Sequence, residues 1–419
     1  MSALMEDGRV PNPTARITFM GVGLYAIWKG VLPPVYGMWL AYKTPLLLPT
    51  AIWTVIYYFL TGVGVTAGYH RLWSHKSYDA GKPLQLYLLL GGAAGFQKSA
   101  LWWATTHRVH HRYVDTPNDP HSIEQGIFHA HMGWILFPRK TPLPPVDLKD
   151  LTSNRLVMWQ HNNYEIISLI MGVVFPTVVA GYFWGDWWGG LAYSGLLRIF
   201  FFQQGTFCIN SLAHWLGDTP YDDKHSPRDH LFTAVLTLGE GYHNFHHEFP
   251  TDYRNGVKWW QYDPSKWFIW VCEQMGLADH LSRVSDNIIG KGEYQQQNKK
   301  LEVFKSSLKW GVAPSLLPQM TMQEFELAVQ DKGQSLIVIN GVIHDVESFR
   351  NDHPGGKAII SSYIGKDATA AFTGDVYAHS NAANNMLEDF RIAALVGTEE
   401  EIETNDKQEG IPAGLTTDF

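Results

Sequence analysis

Four runs of this chain are almost free of charge, and each is long enough to cross a bilayer as a helix. Ile17–Leu40 carries only Lys29, Pro45–Ala67 and Ile166–Trp184 carry none, and Trp187–Ala213 carries only Arg198. A crossing takes roughly 20 mostly apolar residues. Lipid offers the backbone no hydrogen-bond partner, so such runs must satisfy themselves as helices. Pro33–Pro34 and Pro176 would kink the first and third spans, which membrane helices tolerate. A fifth apolar stretch, Leu84–Trp103, is interrupted by Gly91–Gly92, Gln97 and Lys98 and reads as amphipathic or partly embedded. Trp184, Trp187, Trp188, Tyr42 and Tyr69 crowd the span ends, where aromatic rings meet headgroups. Four such runs argue against buried helices of a soluble protein.

Basic residues set the orientation. The connection between spans one and two holds only Lys43, and Gly185–Asp186 between spans three and four holds none. Arg71, Lys76, Lys149, Arg155, Lys224 and Arg228 flank the other span ends. The positive-inside rule then places both termini and both long segments in the cytosol. The polar first fifteen residues lack the apolar core of a cleavable signal peptide. A net charge of −8 argues against a nucleic-acid partner. Two cysteines, Cys208 and Cys272, exclude a disulfide framework and a thiolate metal cluster.

The expected organisation has five parts: an N-terminal tail over 1–15, a membrane domain over 16–294, a linker over 295–318, a compact domain over 319–397 and an acidic tail over 398–419. The linker reading rests on the polar run Gln295–Lys300 and the Gly/Pro content of Gly311–Pro318. The compact domain mixes short β-like runs, Ser335–Ile339 and Gly341–Asp345, with helical stretches such as Gly356–Ile364. The fold class is an all-α integral membrane protein, four transmembrane helices under a cytosolic helical cap, joined to a small α+β domain.

Nineteen histidines are the second anomaly. They gather in HRLWSH (His70, His75), HRVHH (His107, His110, His111), NSLAH (Asn210, His214) and HNFHH (His243, His246, His247). The i, i+3, i+4 spacing of HxxHH puts three imidazoles on one helical face. His70 and His75, at i, i+5, do not share an α-helical face, so that motif is expected where helical geometry breaks. Every group falls on the cytosolic side of the topology above. Imidazole suits Fe, Zn, Cu and Ni, and nine histidines exceed one ion's coordination sphere but suit two. The carboxylate pattern of di-iron bundles, two Glu-x-x-His motifs plus two further Glu, is missing.

These boxes, HRLWSH, HRVHH and GEGYHNFHH with NSLAHWLGDTPYD between them, resemble those of membrane acyl-CoA Δ9 desaturases, the stearoyl-CoA desaturase family, from about Ile17 to Gly276. The resemblance implies a di-iron centre held by His70, His75, His107, His110, His111, His214, His243, His246 and His247, with Asn210 reaching a metal through water. It implies O2 as co-substrate, a long-chain saturated acyl-CoA as substrate and a cis double bond at C9 as product, in the endoplasmic reticulum membrane. Bottom-up chemistry agrees, because an unactivated methylene needs an oxidant that side chains cannot supply and a metal cofactor can. The resemblance also implies an acyl tunnel with Tyr58 and Gly62 near its end, a Trp103–Thr206 pair at its kink, Trp134 in its wall and Gln97 near the thioester. A bulkier residue at Gly62 would then shorten the accepted chain. Animal members carry Arg-Asp before HRxHH, whereas Thr105 and Thr106 stand here; Pro138 replaces a further CoA-contacting Arg, leaving Lys98, Arg139 and Lys140 as alternative cations. Asp119 and Glu240 are candidate carboxylates for orienting ligand imidazoles.

HDVESFRNDHPGG followed by GKDATAAFTGDVYAHS resembles cytochrome b5 over Gln319–Val396. That resemblance implies haem b with His353 and His379 as axial ligands, the first presented by the turn Pro354–Gly355–Gly356. Two imidazoles leave no open iron position, so such a haem carries electrons. The acidic residues Glu324, Glu326, Asp345, Glu347, Asp367 and Asp375 would dock a basic NADH-cytochrome b5 reductase. Two rival readings stand beside this one: a related di-iron hydroxylase or acyl-lipid desaturase of other regiochemistry, and a non-catalytic haem- and metal-binding membrane protein.

Overall fold

A computed structural model describes residues 32–137, 142–374 and 378–397. The N-terminal tail, most of the first span, the Pro138–Lys140 cations, Asp375 and the acidic tail lie outside the described residues. The chain divides into two compact units, between Leu301 and Glu302.

The first unit is almost wholly helical. Helix α1 is Leu32–Lys43 and α2 is Leu48–Val63, which runs on as a π-helix over Gly64–Ser74. Ile52, Val55, Ile56 and Phe59 form an apolar face of α2 that is exposed, the reverse of a soluble helix and the arrangement lipid requires. Helix α3, Lys82–Ala93, and α4, Ala100–Tyr113, are the two halves of the fifth apolar stretch. Left-handed Phe96 (φ 55°) and Lys98 (φ 70°) break it, and Ser99 restarts it as an N-cap accepting from the Trp102 N–H. The start of that π-helix and α3 touch backbone to backbone: a Cβ on Gly64 would stand 2.3 Å from the Gly92 nitrogen. The core beneath holds Tyr69, Trp73, Leu88, Leu89, Leu101 and Ala104.

After α5, Arg155–Asn162, the third apolar run forms α6, Tyr164–Leu169, a π turn over Ile170–Val174, and α7, Phe175–Trp184. The π turn ends next to Pro176, whose ring forbids an i→i−4 bond. Gly185 (φ 76°) reverses the chain and Asp186 caps the return, accepting from the Gly189 N–H at 2.9 Å. Trp187–Ser211 is continuously helical, ending as α8, Arg198–Ser211. Of the four expected spans, two, Leu48–Ser74 and Tyr164–Trp184, are long and apolar enough to cross a membrane among the described residues. Arg198, Gln203, Gln204 and Asn210 dilute the fourth run.

The cap is built from α9 (Leu231–Leu236), α10 (His243–Glu248), α11 (Pro264–Gln274) and the antiparallel pair β1 (Asp79–Ala80) and β2 (Ala278–Asp279). Helix α12, Asp286–Ser307, swallows Gln295–Lys300. Gln and Lys are good helix formers, and Lys299 pairs with Asp223 at 2.6 Å; the two units divide within 295–318.

The second unit is a four-stranded mixed sheet ordered β3-β6-β5-β4, with β3 Gln319–Thr321, β4 Leu336–Ile339, β5 Val342–Asp345 and β6 Arg391–Val396. The β4–β5 hairpin turns through Asn340 (φ 50°) and Gly341 (φ 72°), the dipeptide that such turns favour. Helix α13, Met322–Gln330, starts with a capping box between Thr321 and Glu324. Helices α14 (Lys357–Ser362), α15 (Thr369–Thr373) and α16 (Asn381–Glu388) complete it, as the α+β expectation requires.

His344 on β5 is 1% exposed and its Nδ1 has no partner. Burial pushes its imidazole down to about 4. The unfolded chain takes up that proton below about pH 6.5 and the folded one only near 4, so this unit loses stability as pH falls through that window. Melting followed by the haem absorbance is expected to show a pH 6.5-to-4.5 decline that His344→Leu flattens; an unchanged slope in the variant excludes His344 as its source.

Candidate metal centre

The π-helix explains the awkward HRLWSH spacing. In a π-helix the bond runs i→i+5, and the His75 N–H donates to the His70 carbonyl at 3.2 Å. The two rings lie 4.9 Å apart. The expected break in helical geometry is there, and it brings together the two side chains that an α-helix would separate. Helices α4 and α10 present their HxxHH faces opposite, and His214 follows α8 in a 3₁₀ turn.

Nine histidines thereby form two groups. Ligand-capable nitrogens of His70, His75, His107, His111 and His246 all lie within 4.8 Å of one another, as do those of His110, His214, His243 and His247. In the first group His70 and His246 bring their Nε2 atoms to 3.0 Å, His75 and His107 to 2.8 Å, and His111 and His246 to 2.9 Å. In the second the spacings are 3.0 Å for His214–His243, 3.1 Å for His243–His247 and 3.3 Å for His110–His247. Two nitrogens each about 2.1 Å from one ion, at a right angle, lie about 3.0 Å apart. The donor sets therefore fit two ions, five imidazoles on one and four on the other. His111 and His247 stack at 4.1 Å between the groups.

Three of the other ring nitrogens are held from behind. His70 Nδ1 meets Glu240 at 2.7 Å, His110 Nδ1 meets Asp119 at 2.9 Å and His214 Nδ1 meets Ser226 at 2.7 Å. Each such contact takes the Nδ1 proton and leaves the Nε2 lone pair facing inward. Arg71 donates to Glu240 at 2.8 Å and to both oxygens of Asp263, at 2.9 and 3.1 Å. Burial alone would raise the Glu240 carboxyl, but His70 and Arg71 pull it down to about 2. Burial would likewise raise Asp119; His110 and His121 hold it well below the usual carboxylate range. Burial first, and neighbouring imidazoles next, keep His75, His107, His111, His246 and His247 well below their ordinary value. They stay neutral, the form that ligates. Glu240 and Asp119 were legible in the sequence; Arg71, Asp263, Ser226 and its partner Asp115 were not, although Arg71 sits inside the HRLWSH motif.

Below the histidines lies a cleft lined by Tyr58, Thr66, Trp103, Thr206, Asn210 and Leu238 together with His70, His107, His110 and His243. Gln97 stands behind its wall, donating to Thr206 Oγ1 at 2.6 Å and accepting from Trp103 Nε1 at 3.2 Å. Gly62 is covered by Leu238 and does not line the cleft. Trp134 does not line it either; it stacks on Trp102 at 6.2 Å, its ring 5.1 Å from His121.

In the second unit the rings of His353 and His379 lie 6.4 Å apart, a separation that admits one metal ion between facing imidazoles. His379 Nδ1 donates to the Phe372 carbonyl at 3.0 Å, which leaves Nε2 as the ligand atom. A Cβ on Gly355 would stand 2.9 Å from the His353 ring, and Gly356 has φ 93°, so both glycines of HPGG are required. Phe349, Tyr363, Phe372, Ile337, Ile339 and Ile360 make the surroundings apolar, as a porphyrin needs.

A family model described as "Fatty acid desaturase" matches residues 44–278, and one described as "Cytochrome b5-like Heme/Steroid binding domain" matches residues 321–396. The chain is 46% identical over 365 residues to "Acyl-CoA desaturase 1" of Saccharomyces cerevisiae, covering 86% of this chain and 71% of that one. It is 46% identical over 367 residues to "Probable acyl-CoA desaturase" of Schizosaccharomyces pombe, covering 87% and 75%. To "Stearoyl-CoA desaturase" of Homo sapiens it is 35% identical over 308 residues, covering 69% and 83%.

Removing one supporting carboxylate is expected to loosen one ion only. Asp119→Ala should weaken retention at the four-histidine group, and Glu240→Gln at the five-histidine group, each by about 10- to 100-fold. Chelator competition with metal quantified per chain checks this; equal loss of both ions in either variant contradicts the division.

Proposed function

This chain belongs to the fatty acid desaturase family, with a cytochrome b5-like domain fused behind it, and we propose that it introduces a cis double bond at C9 of long-chain saturated acyl-CoA. The observation that carries this reading is the meeting of two all-imidazole groups with an apolar cleft beneath them. The overall change is balanced: CH2–CH2 plus O2, two electrons and two protons gives CH=CH plus two waters.

Iron in the two histidine groups supplies the O2 chemistry that side chains lack. The protein's part is placement. Thr206, Trp103 and Gln97 form one hydrogen-bonded unit beside the histidines, and such a rigid wall holds a flexible chain with one methylene pair presented. Tyr58 and Phe202 stand edge to face at 5.5 Å in the lower part of the cleft. Asn210 faces the same cleft beside His110 and His243, where it would hold a water for the four-histidine ion. His353 and His379 would hold haem b, which would supply single-electron transfer. NADH-cytochrome b5 reductase is the proposed source of those electrons. The proposed setting is the endoplasmic reticulum membrane, spanned four times with both termini and the metal site cytosolic; the two apolar helices and the exposed apolar face of α2 support it.

Supplied to cells lacking their own Δ9 desaturase, the chain is expected to restore C9-unsaturated fatty acids in a lipid profile. His353→Ala should lose the haem absorbance and most NADH-driven turnover while keeping both irons. Full NADH-driven activity in that variant without added cytochrome b5 would remove the donor role.

A further inference from the structure

We propose that Leu238 is a specificity-determining residue: its side chain is the plug that sets how deep a chain reaches into the cleft. The proposal rests on the acyl-chain reading of that cleft and goes beyond it, because Leu238 belongs to the loop after α9 and to no histidine box.

Leu238 has φ 57°, a left-handed conformation that is unusual for a large aliphatic residue. Gly239 follows with φ 103° and donates its N–H to the Ala234 carbonyl at 2.7 Å. Two successive left-handed residues turn the chain off α9 and straight into Glu240. That residue is pinned by His70 at 2.7 Å and Arg71 at 2.8 Å. The Leu238 backbone is therefore held two residues from the carboxylate that braces a metal ligand.

Its side chain is 3% exposed and lines the cleft. A Cβ on Gly62 would stand 2.1 Å from Leu238 Cδ1 and 3.6 Å from Phe202 Cε2. The space over Gly62 that a side chain at position 62 would take is thus filled by a Leu238 methyl. Tyr58, one turn deeper on α2, packs edge-on against Phe202 at 5.5 Å. Leu238, Phe202 and Tyr58 all line the cleft here, and Leu238 is the member two residues from the metal-bracing Glu240. The glycine matters because it makes room for the leucine, so substitutions at 62 and 238 should be strongly coupled.

The test uses full-length enzyme loaded with iron and haem, assayed separately on C14, C16, C18 and C20 saturated acyl-CoA. Leu238→Ala should raise kcat/KM for the longest accepted chain relative to the shortest by about tenfold, the lower end of what one or two methylenes in a pocket discriminate. Leu238→Met should keep the wild-type profile. Gly62→Ala should shift it toward shorter chains, and G62A/L238A should move it back. Should L238A lose its metals, Leu238→Val, one methylene smaller, carries the same expectation at smaller amplitude. An active, metal-loaded L238A or L238V with the wild-type profile, or a G62A shift identical in both backgrounds, overturns the proposal alone. A wild-type enzyme that desaturates none of the four overturns the reading of the cleft and the proposal with it.

Discussion

Nine imidazole nitrogens pointing at two small volumes is the arrangement on which the rest depends. Lone pairs about 3 Å apart repel, and protonation would end ligation, so the scaffold must keep the rings both neutral and fixed. Burial does the first, at the cost of removing water that would otherwise solvate them. Directed acceptors do the second: Glu240, Asp119 and Ser226 each occupy an Nδ1 and turn the Nε2 inward. Glu240 and Asp263 are themselves buried carboxylates, and Arg71 between them supplies the compensating charge. A buried charge left without its partner is costly. Arg71, Glu240 and Asp263 therefore form one unit, and the loss of any member strands the others.

The apolar part of the molecule carries the same constraint in another form. Arg198 is buried in α8 with no carboxylate beside it among the described residues. Its guanidinium donates to the Ser194, Ala94 and Gly172 carbonyls and to Thr61 Oγ1, and Tyr57 lies under it at 4.8 Å. Two of those carbonyls sit where helical bonding is interrupted, at the end of α3 and in the π turn before α7. The cation thus satisfies backbone groups that lipid cannot. It also ties the interrupted segments to α2 and α8, which bear Tyr58 and Thr206. Irregular backbone, so expensive in lipid, is thereby given partners inside the helical bundle.

Much of this was legible because the chemistry is written in short spacings. HxxHH on a helix declares three ligands at once, and HPGG followed 26 residues on by His379 declares a second centre. The division into five and four was not legible, since His110 and His111 are neighbours in sequence yet join different groups. The i, i+5 pair His70–His75 pointed to broken geometry but not to the π-helix that unites it. Contacts such as Arg71 with Asp263, and Gly62 with Leu238, bridge long separations and have no local signature. Gln295–Lys300 carries no apolar period, so its helical state within α12 had no signature beyond the helix propensity of Gln and Lys.

The two centres divide the chemistry by coordination. Removing two hydrogens with O2 consumes electrons that a nicotinamide donor releases in pairs and a haem passes singly. On the proposed reading, a haem held by His353 and His379 would carry single electrons, and the histidine groups beside the cleft would carry the O2 chemistry. Fusing the two on one chain would then make electron delivery intramolecular and raise the effective donor concentration. Helix α12 runs to Ser307 and β3 begins at Gln319; between them Gly311 lies against Glu388, the Val312 carbonyl accepts from Arg391 and the Pro318 carbonyl accepts from the Ala394 N–H, so most of this connecting stretch is held by the second unit.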